Sequence, residues 1–217
     1  MAIGIIVSFV YIFLIIAVAT ILNKRDIISN EGSRKFIHIL LSNWWFIAMH
    51  YFKTPVSASI VPAIFVLINY LSYKNNIFKA MERVEEEETL GTVYYAISLL
   101  ILSLITFSEK LSSWIGAAGI LVMGYGDGFA AIIGSKYGKH PLKFGSTKKS
   151  VEGSLAMFVF SFICLFAIIF YTNSLHSLGY VILISVVATI VELFSPKGTD
   201  NLTVPLMVSF IYYLLVF

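Results

Sequence analysis

Of the residues in this sequence, Asp127 most strongly indicates a functional site. It lies between Gly126 and Gly128 in an apolar stretch, and a charged side chain inside a membrane span costs roughly 2.5–3.5 kcal/mol on insertion scales. The basic, glycine-containing segment that follows includes Lys148 and Lys149, whose ammonium groups can bind an anion. Mg²⁺ in proteins is commonly held by one or two carboxylates together with phosphate oxygens. These residue types therefore predict a site for a metal-bound polyphosphate at a membrane surface.

The small residues around Asp127 divide into two groups with different predicted roles. The glycines of the first group are expected to break the helix, so that its backbone can approach the bound ligand. Those of the second group recur every four positions, which in a membrane helix is typical of close helix packing. The first group is Gly124, Gly126 and Gly128, and the second is Ala130, Gly134 and Gly138.

The segment 145–153 is predicted to start a helix with an anion site at its beginning. Thr147 or Ser150 can cap this helix, and its free N–H groups and its dipole favour an anion. Glu152 in the first turn is favoured by the dipole of any helix, and it is also a candidate metal ligand. The Gly-x-x-x-x-Gly-Lys-Ser/Thr order of a P-loop is absent from the sequence. The sequence also predicts no β-strand.

Two further polar clusters each adjoin an apolar run. Arg34, Lys35 and His38 share one helix face, where they either anchor a span at the membrane surface or bind phosphate oxygens. The acidic run at 85–88 is either a solvated helix face or a cation site. Glu88, its member nearest the membrane, is the candidate ligand in the second case.

The last candidate region lies near the end of the chain. Glu192 falls inside an apolar run, and a carboxylate in a span is a functional candidate by default. Asp200 and Asn201 precede Pro205 and form either a capping turn or part of a site. Together they are predicted to bind a base or ribose, a second metal, or an acceptor hydroxyl.

Membrane helices must position all of these residues. The 217-residue chain is 59% hydrophobic and 12% charged, with a mean hydropathy of +0.89, whereas soluble domains average about 25% charged residues. A span needs about 20 residues, so we expect an all-α polytopic bundle of seven to eight transmembrane helices in one domain, 1–217. The predicted spans are 2–22, 36–52, 56–73, 91–107, 114–134, 151–172, 178–195 and 204–217.

The basic residues predict the orientation of these spans. All but Lys53 and Lys110 of the 15 lysines and arginines fall in the odd-numbered loops, which the positive-inside rule assigns to the cytoplasm, with the N-terminus outside. The candidate clusters then all lie on the cytoplasmic face. A transport path needs polar access from both faces, so this arrangement disfavours a small-solute or ion transporter that uses Asp127 and Glu192. We expect a prokaryotic-type cell-membrane protein with no nucleic-acid partner.

Together these segments resemble the CTP-dependent lipid kinases, which include dolichol kinase, phytol kinase and fungal-type diacylglycerol kinase and are related to the phosphatidate cytidylyltransferases. The resemblance runs from Arg34 to Pro205 and includes Arg-Lys-x-x-His and Glu…Asp-Asn-Leu-x-x-Pro elements. Its most specific part is Asp-x-x-Ala-x-x-x-Gly-x-x-x-Gly followed by Lys-Lys-Ser/Thr-x-Glu-Gly, a stretch that the family associates with CTP binding. This part consists of Asp127, Ala130, Gly134, Gly138, Lys148, Lys149, Ser150, Glu152 and Gly153.

The resemblance implies a kinase that moves the γ-phosphoryl group of CTP or UTP to the hydroxyl of phytol, polyprenol, dolichol or diacylglycerol. The length of the chain favours the compact phytol-kinase or prokaryotic type. A cytidylyltransferase that makes a CDP-lipid is the alternative. It is disfavoured because the His-Gly-Gly…Asp-Arg-x-Asp-like ending of that related family is absent.

Each candidate residue then has an expected role in a region at about 120–155, with contributions from 31–38, 85–92 and 192–205. Carboxylates would hold Mg²⁺, cationic side chains would cradle the phosphates, and one further group would accept the hydroxyl proton. The metal candidates are Asp127, Glu152, Asp200, Glu88 and Glu192; the phosphate ligands are Lys148, Lys149, Arg34 and Lys35; and the proton acceptors are His38, Glu88 and Asp200. The CTP-site candidates are Arg34, Lys35, Gly124, Gly126, Gly128, Gly134, Gly138, Ser150, Gly153 and Asn201.

Overall fold

Five helices of the described residues are long and apolar enough to cross a membrane. The structure is a computed structural model, and it describes residues 1–75, 90–142 and 149–217. The all-α membrane-helix class is confirmed, whereas the count of seven to eight spans and the outside N-terminus stay predictions. The five helical stretches are Ala2–Lys24, Pro55–Asn75, Ser113–Tyr137, Val151–Tyr171 and Leu175–Phe194, and shorter apolar helices lie at Gly91–Thr106 and Asp200–Leu215.

The chain divides into two compact units, Met1–Ser113 (unit 1) and Trp114–Phe217 (unit 2). Unit 1 packs α4 against α5 and α1 against α2 and α3. Its interior is rich in large aromatic side chains, and Trp44, Trp45 and Phe52 are almost fully buried. Its helices are α1 Ala2–Lys24, α2 Asn30–Ser42, α3 Trp44–Tyr51, α4 Pro55–Asn75 and α5 Gly91–Thr106.

The predicted second span, 36–52, is two helices rather than one. The first, α2, begins six residues earlier than predicted because Ser29 caps it: the Ser29 hydroxyl accepts a hydrogen bond of 3.0 Å from the backbone N–H of Gly32. Asn43 then separates α2 from α3. The apolar pattern alone carries no signal for this interruption, because apolar residues occur on both sides of Asn43.

Unit 2 consists of helices joined by short turns and one small hairpin. In it α7 packs on α8, and α8 packs on α9. The elements are α6 Ser113–Leu121, whose first residue belongs to unit 1, a π-helix Val122–Asp127, α7 Gly128–Tyr137, β1 Pro141–Leu142, β2 Lys149–Ser150, α8 Val151–Tyr171, a 3₁₀ turn Leu175–Ser177, α9 Leu178–Phe194 and α10 Asp200–Leu215.

The predicted helix break at 124–128 is wrong. The helix widens there into the π-helix and then continues as α7. A break in an apolar environment would leave backbone N–H and C=O groups without partners, which is costly in a membrane. A π-helix keeps these groups hydrogen-bonded while it changes the direction of the side chains that follow, and such turns often lie at functional sites.

Two smaller expectations also need correction. The hairpin pairs Pro141 with Ser150 and Leu142 with Lys149, so unit 2 contains a two-residue strand pair that the sequence did not predict. The last helix, α10, begins at Asp200 rather than at the predicted residue 204, so Pro205 is its sixth residue. Residues 200–203, the first four of this helix, are mostly polar, so the hydropathy pattern predicted the start of the helix too late.

The predicted packing role of the small residues is confirmed for α7 and α8. A side chain on Gly153 would come within 3.0 Å of the Ala130 carbonyl oxygen and 3.4 Å of the Gly134 Cα. These are main-chain contacts between neighbouring helices, and any larger residue would force the helices apart. The small residues therefore fix how closely α8 approaches the helix that follows Asp127.

Candidate active site

Three carboxylates from three different elements meet in unit 2. Asp127 ends the π-helix, Glu192 lies in the last turn of α9, and Asp200 begins α10. One oxygen from each lies within 4.8 Å of the others. Asp127 and Glu192 are buried, at 5% and 6% exposure, and Asp200 is half-buried. We call these three residues the carboxylate group.

The turn between α9 and α10 brings Glu192 and Asp200 together. Gly198 has a φ of 80°, which a glycine adopts without strain. The Ser195 hydroxyl lies 2.7 Å from that of Thr203, and this hydrogen bond joins the end of α9 to the first turn of α10. The chain therefore reverses within a few residues, and the two carboxylates end up close to each other.

Asp127 lies close to Glu192 and Asp200 because the π-helix that carries it packs against both α8 and α10. Gly119 allows α6 to approach α10 closely: a side chain there would collide with the Pro205 carbonyl oxygen and the Ser209 hydroxyl. The Ser209 hydroxyl also donates a hydrogen bond of 2.9 Å to the Ile115 carbonyl oxygen. These contacts hold the helix that carries Asp127 beside the helix that carries Asp200.

Lys149 supplies a positive charge to the carboxylate group. Its ammonium nitrogen lies 2.7 Å from Glu192 Oε1, and it also donates a hydrogen bond to the Glu192 carbonyl oxygen. The side chains of Lys149 and Glu192 are only 14% and 8% exposed. A buried carboxylate needs such a partner, because a charge taken from water without compensation is expensive.

The composition of the carboxylate group fits a hard divalent cation. It offers only oxygen ligands, which suit Mg²⁺, Ca²⁺ and Mn²⁺ rather than softer metals. The ammonium of Lys149 offsets the charge of one of these carboxylates, and a divalent cation would offset the charge of the others. The group therefore has the ligand type and the charge that a Mg²⁺ site requires.

Glu152 lies outside the carboxylate group. Its Oε1 atom is 2.7 Å from the His140 ring nitrogen Nδ1, and its Oε2 atom accepts a bond of 3.3 Å from the His140 backbone N–H. The Val151 N–H also donates to the His140 carbonyl oxygen at 3.0 Å. This candidate metal ligand instead joins the first turn of α8 to the chain entering β1.

The predicted helix cap at Ser150 is confirmed. Its hydroxyl accepts a hydrogen bond of 3.1 Å from the Gly153 N–H, and it lies in the space that a Gly138 side chain would need. Gly134 and Gly138 therefore contact the start of α8, and their prediction as part of a CTP site stays a prediction. Lys148, like Thr147, lies outside the described residues.

Arg34, Lys35 and His38 lie together on α2 in unit 1, as predicted. Arg34 forms an ion pair of 2.7 Å with Glu31, one turn earlier. The His38 ring meets the Tyr95 ring edge to face at 4.9 Å, and the Tyr95 hydroxyl donates to the His38 carbonyl oxygen at 3.2 Å. Their proposed contacts with phosphate or substrate stay predictions.

The remaining predicted residues have different outcomes. Glu88 lies outside the described residues. Asn201 is the second residue of α10, directly beside the carboxylate group, and its N–H donates to Asp200 Oδ1 at 3.0 Å. Gly124, Gly126 and Gly128 are all buried in or next to the π-helix, and their role in CTP binding is not tested.

Sequence reasoning missed three residues that shape this region. His140 pairs with Glu152, a candidate carboxylate. Ser195 and Thr203 hydrogen-bond to each other on either side of Asp200. A single histidine or hydroxyl in a loop carries no distinctive spacing, so no pattern indicated these pairs. The Ser-Pro-Lys-Gly-Thr run at 195–199 did contain a usable signal, because Pro and Gly there are typical of a tight reversal.

Comparison with curated proteins finds phytol kinases. The phytol kinase of Synechocystis is 34% identical over 209 residues, covering 90% of this chain and 84% of the relative. Phytol kinase 1, chloroplastic, of Arabidopsis thaliana is 31% identical over 214 residues, covering 89% of this chain and 69% of the relative. The probable phytol kinase 1, chloroplastic, of Oryza sativa subsp. japonica is 31% identical over 215 residues, covering 89% and 67%.

No family model matches the chain, and no solved structure matches it. The curated relatives nevertheless cover nearly its whole length, and this chain spans two thirds or more of each. The chain is therefore a membrane protein and an enzyme of the lipid kinase class, and it belongs to the phytol kinase family.

Proposed function

We propose that this protein transfers the γ-phosphoryl group of CTP to the hydroxyl of phytol or a related isoprenoid alcohol at the cytoplasmic face of a cell membrane. The observation that carries the proposal is the carboxylate group: three acidic side chains with oxygens within 4.8 Å of one another, inside a bundle of apolar helices. Such a group is costly in a membrane protein unless it binds a cation. Phytol is chosen because the relatives of this chain are phytol kinases.

Asp127, Glu192 and Asp200 would hold Mg²⁺, which when bound neutralises charge on the β- and γ-phosphate oxygens. In the reaction the alcohol oxygen forms a bond to the γ-phosphorus, the bond to the β,γ-bridging oxygen breaks, and CDP leaves. The hydroxyl proton passes to a basic group. Asp200 is the most exposed of the three carboxylates, and it can accept this proton if it is not fully engaged as a ligand.

CTP as donor rests on the resemblance of the Asp127–Gly138 and Lys148–Gly153 patterns to the CTP-dependent kinases. Phosphoryl transfer requires mainly positioning and neutralisation of charge, and the backbone N–H groups at the start of α8 suit a phosphate oxygen. Ser150 already engages the Gly153 N–H. The Val151 N–H likewise donates to the His140 carbonyl oxygen, so the positive end of the dipole of α8, rather than the N–H of either residue, is the proposed attraction for the phosphate.

Labelled nucleotide tests the reaction directly. Purified protein is incubated in detergent with Mg²⁺, phytol and CTP labelled at either the α- or the γ-phosphate, with polyprenol and diacylglycerol in parallel. We expect γ-label, and no α-label, in phytyl phosphate. Label from the α-position in the lipid would instead establish cytidylyl transfer, and transfer from ATP or UTP in preference to CTP would overturn the donor.

The Asp127→Asn variant tests the carboxylate group. It keeps the size of the side chain but removes its charge, and we expect turnover to fall by on the order of 10³-fold, since a metal supplies several kcal/mol of charge stabilisation. Asp26→Asn is the matched control, because Asp26 is exposed and has a φ of 55°, a conformation that asparagine tolerates well. Wild-type turnover in folded Asp127→Asn would rule out this site.

A further inference from the structure

The side chain of Lys149 makes more contacts within the protein than a phosphate-binding lysine requires. Its ammonium contacts both the carboxylate and the main-chain oxygen of Glu192. Its backbone is fixed as well, by strand pairing with Leu142 on one side and by the Ser150 cap on the other. Both ends of this long side chain are therefore anchored, and little conformational freedom remains to it.

The contacts with Glu192 use most of the donors of the lysine. An ammonium group has three N–H donors, and Glu192 takes two of them. The Glu192 carbonyl oxygen lies in the last turn of α9 and also accepts a hydrogen bond of 3.3 Å from the Ser195 N–H, and a cation at this end of a helix is favoured by the helix dipole. Lys149 thus caps α9 and neutralises Glu192 at the same time.

We propose that Lys149 is a built-in counter-cation of the carboxylate group, which positions Glu192 and weakens the binding of a divalent cation there. This inference rests on the proposed function, because it assumes that the carboxylate group binds metal. Lys149 is then a positioning residue that tunes metal affinity rather than a ligand of the phosphates. Its role differs from the one that its place in the Lys-Lys-Ser pattern suggests.

Two opposing effects follow from removal of the lysine, and their sizes differ. Loss of the hydrogen bond would let the Glu192 side chain move, which weakens a metal site modestly. Loss of the ammonium removes a positive charge within bonding distance of a ligand carboxylate, and repulsion between charges only a few ångströms apart at a half-buried site is strong. The net effect of removal is therefore tighter binding of the cation.

Binding of Mn²⁺ alone, measured by electron paramagnetic resonance on the purified full-length protein without nucleotide, tests this inference. We expect Lys149→Met and Lys149→Gln to lower the Kd for Mn²⁺ by about tenfold or more. Lys149→Gln keeps a donor for the Glu192 carbonyl oxygen, so it gives the result if the methionine variant does not fold. Lys149→Arg keeps the charge and should leave the Kd within about threefold of the wild-type value.

Lys136→Met is the matched control for overall charge. Lys136 is exposed in the last turn of α7 and its ammonium lies 5.2 Å from the centre of the Tyr137 ring. It removes the same charge from the same unit without touching the carboxylate group, and the Kd should stay within about twofold, because an exposed charge is screened. An equal tightening in this control would attribute the effect to net charge and overturn the inference.

The remaining outcomes separate this inference from the proposed function. An unchanged or raised Kd in both neutral variants, with Mn²⁺ binding abolished in Asp127→Asn, would overturn the role of Lys149 and keep the metal site. Mn²⁺ binding that survives in Asp127→Asn would overturn the metal site itself. Tightening in the neutral variants together with loss of binding in Asp127→Asn supports both.

Discussion

Two ion pairs near the start of α8 have the same distance between their charged atoms but differ in burial and in surroundings. Lys149 and Glu192 approach to 2.7 Å with side chains 14% and 8% exposed, and His140 and Glu152 approach to 2.7 Å with side chains 74% and 25% exposed. The first pair belongs to the carboxylate group, two of whose three members are buried. The second pair connects two segments at the surface.

This comparison shows that burial, and not the length of an ion pair, separates a site from a surface contact. Exposed pairs contribute about 0–1 kcal/mol, because water solvates the separated charges nearly as well. Breaking a buried pair by removal of one partner costs about 3–5 kcal/mol. Glu192 and Glu152 were equal candidates for metal binding in the sequence, and the structure makes them unequal.

The largest expected effect comes from Glu192→Gln. It removes a ligand charge and leaves the ammonium of Lys149 partly uncompensated, so we expect turnover to fall by on the order of 10³-fold, as for Asp127. Radioactive phosphoryl transfer measures the loss, and the elution profile and melting temperature establish that the protein is folded. Retention of more than a tenth of the wild-type turnover in folded protein would contradict the difference between the two pairs.

A smaller effect is expected from Gly119→Ala, which acts on the scaffold of the buried group. The added methyl group would collide with the Pro205 carbonyl oxygen and the Ser209 hydroxyl, and overpacking of this kind costs about 1–3 kcal/mol. We expect a lower melting temperature and reduced turnover, because α6 and α10 must separate.

Gly179→Ala is the matched control for this substitution. No atom lies within 4 Å of the position that its methyl group would take, and alanine is favoured over glycine inside a helix by about 0.5–1 kcal/mol. Its melting temperature should stay the same or rise. If Gly119→Ala behaves in the same way, the close approach of α6 and α10 is not needed for the carboxylate group.

The smallest effect is expected from Glu152→Gln. The pair with His140 is exposed, so its loss should change turnover by less than about threefold and leave the melting temperature close to the wild-type value. Parallel assays of Glu152→Gln and Glu192→Gln in one preparation give this contrast directly. Abolition of Mn²⁺ binding by Glu152→Gln would restore Glu152 as a metal ligand and remove the distinction on which the comparison depends.

The sequence was sufficient to predict the class of fold and to single out the carboxylates that the structure brings together. Asp127 and Glu192 are conspicuous because charge within apolar runs is rare and costly, and long apolar runs predict membrane helices directly. Their proximity was not predictable. It depends on the reversal at 195–199 and on helix packing through Gly119, and both are three-dimensional consequences of small residues whose pattern has many solutions.

The partner of Lys149 was beyond sequence reasoning for a different reason. Glu192 lies 43 positions away along the chain, and no local pattern pairs residues at that separation. The lysine was therefore interpreted through its neighbours in the Lys-Lys-Ser run, which indicate an anion. In the structure, the Lys149 ammonium in β2 binds a carboxylate of the same chain, Glu192 at the end of α9.

The π-helix also determines how tolerant this region is to changes in chain length. Each residue of an α-helix rotates the chain by about 100°, since 3.6 residues make a turn, and a π-helix accommodates an extra residue within its turn. Deletion of one residue between 122 and 126 would remove this extra residue and restore regular α-helical winding, so Asp127 would keep nearly its present direction relative to α6. A deletion of one residue within α6, which is regular α-helix, would instead turn Asp127 by about 100° relative to the start of that helix and point the carboxylate away from Glu192 and Asp200.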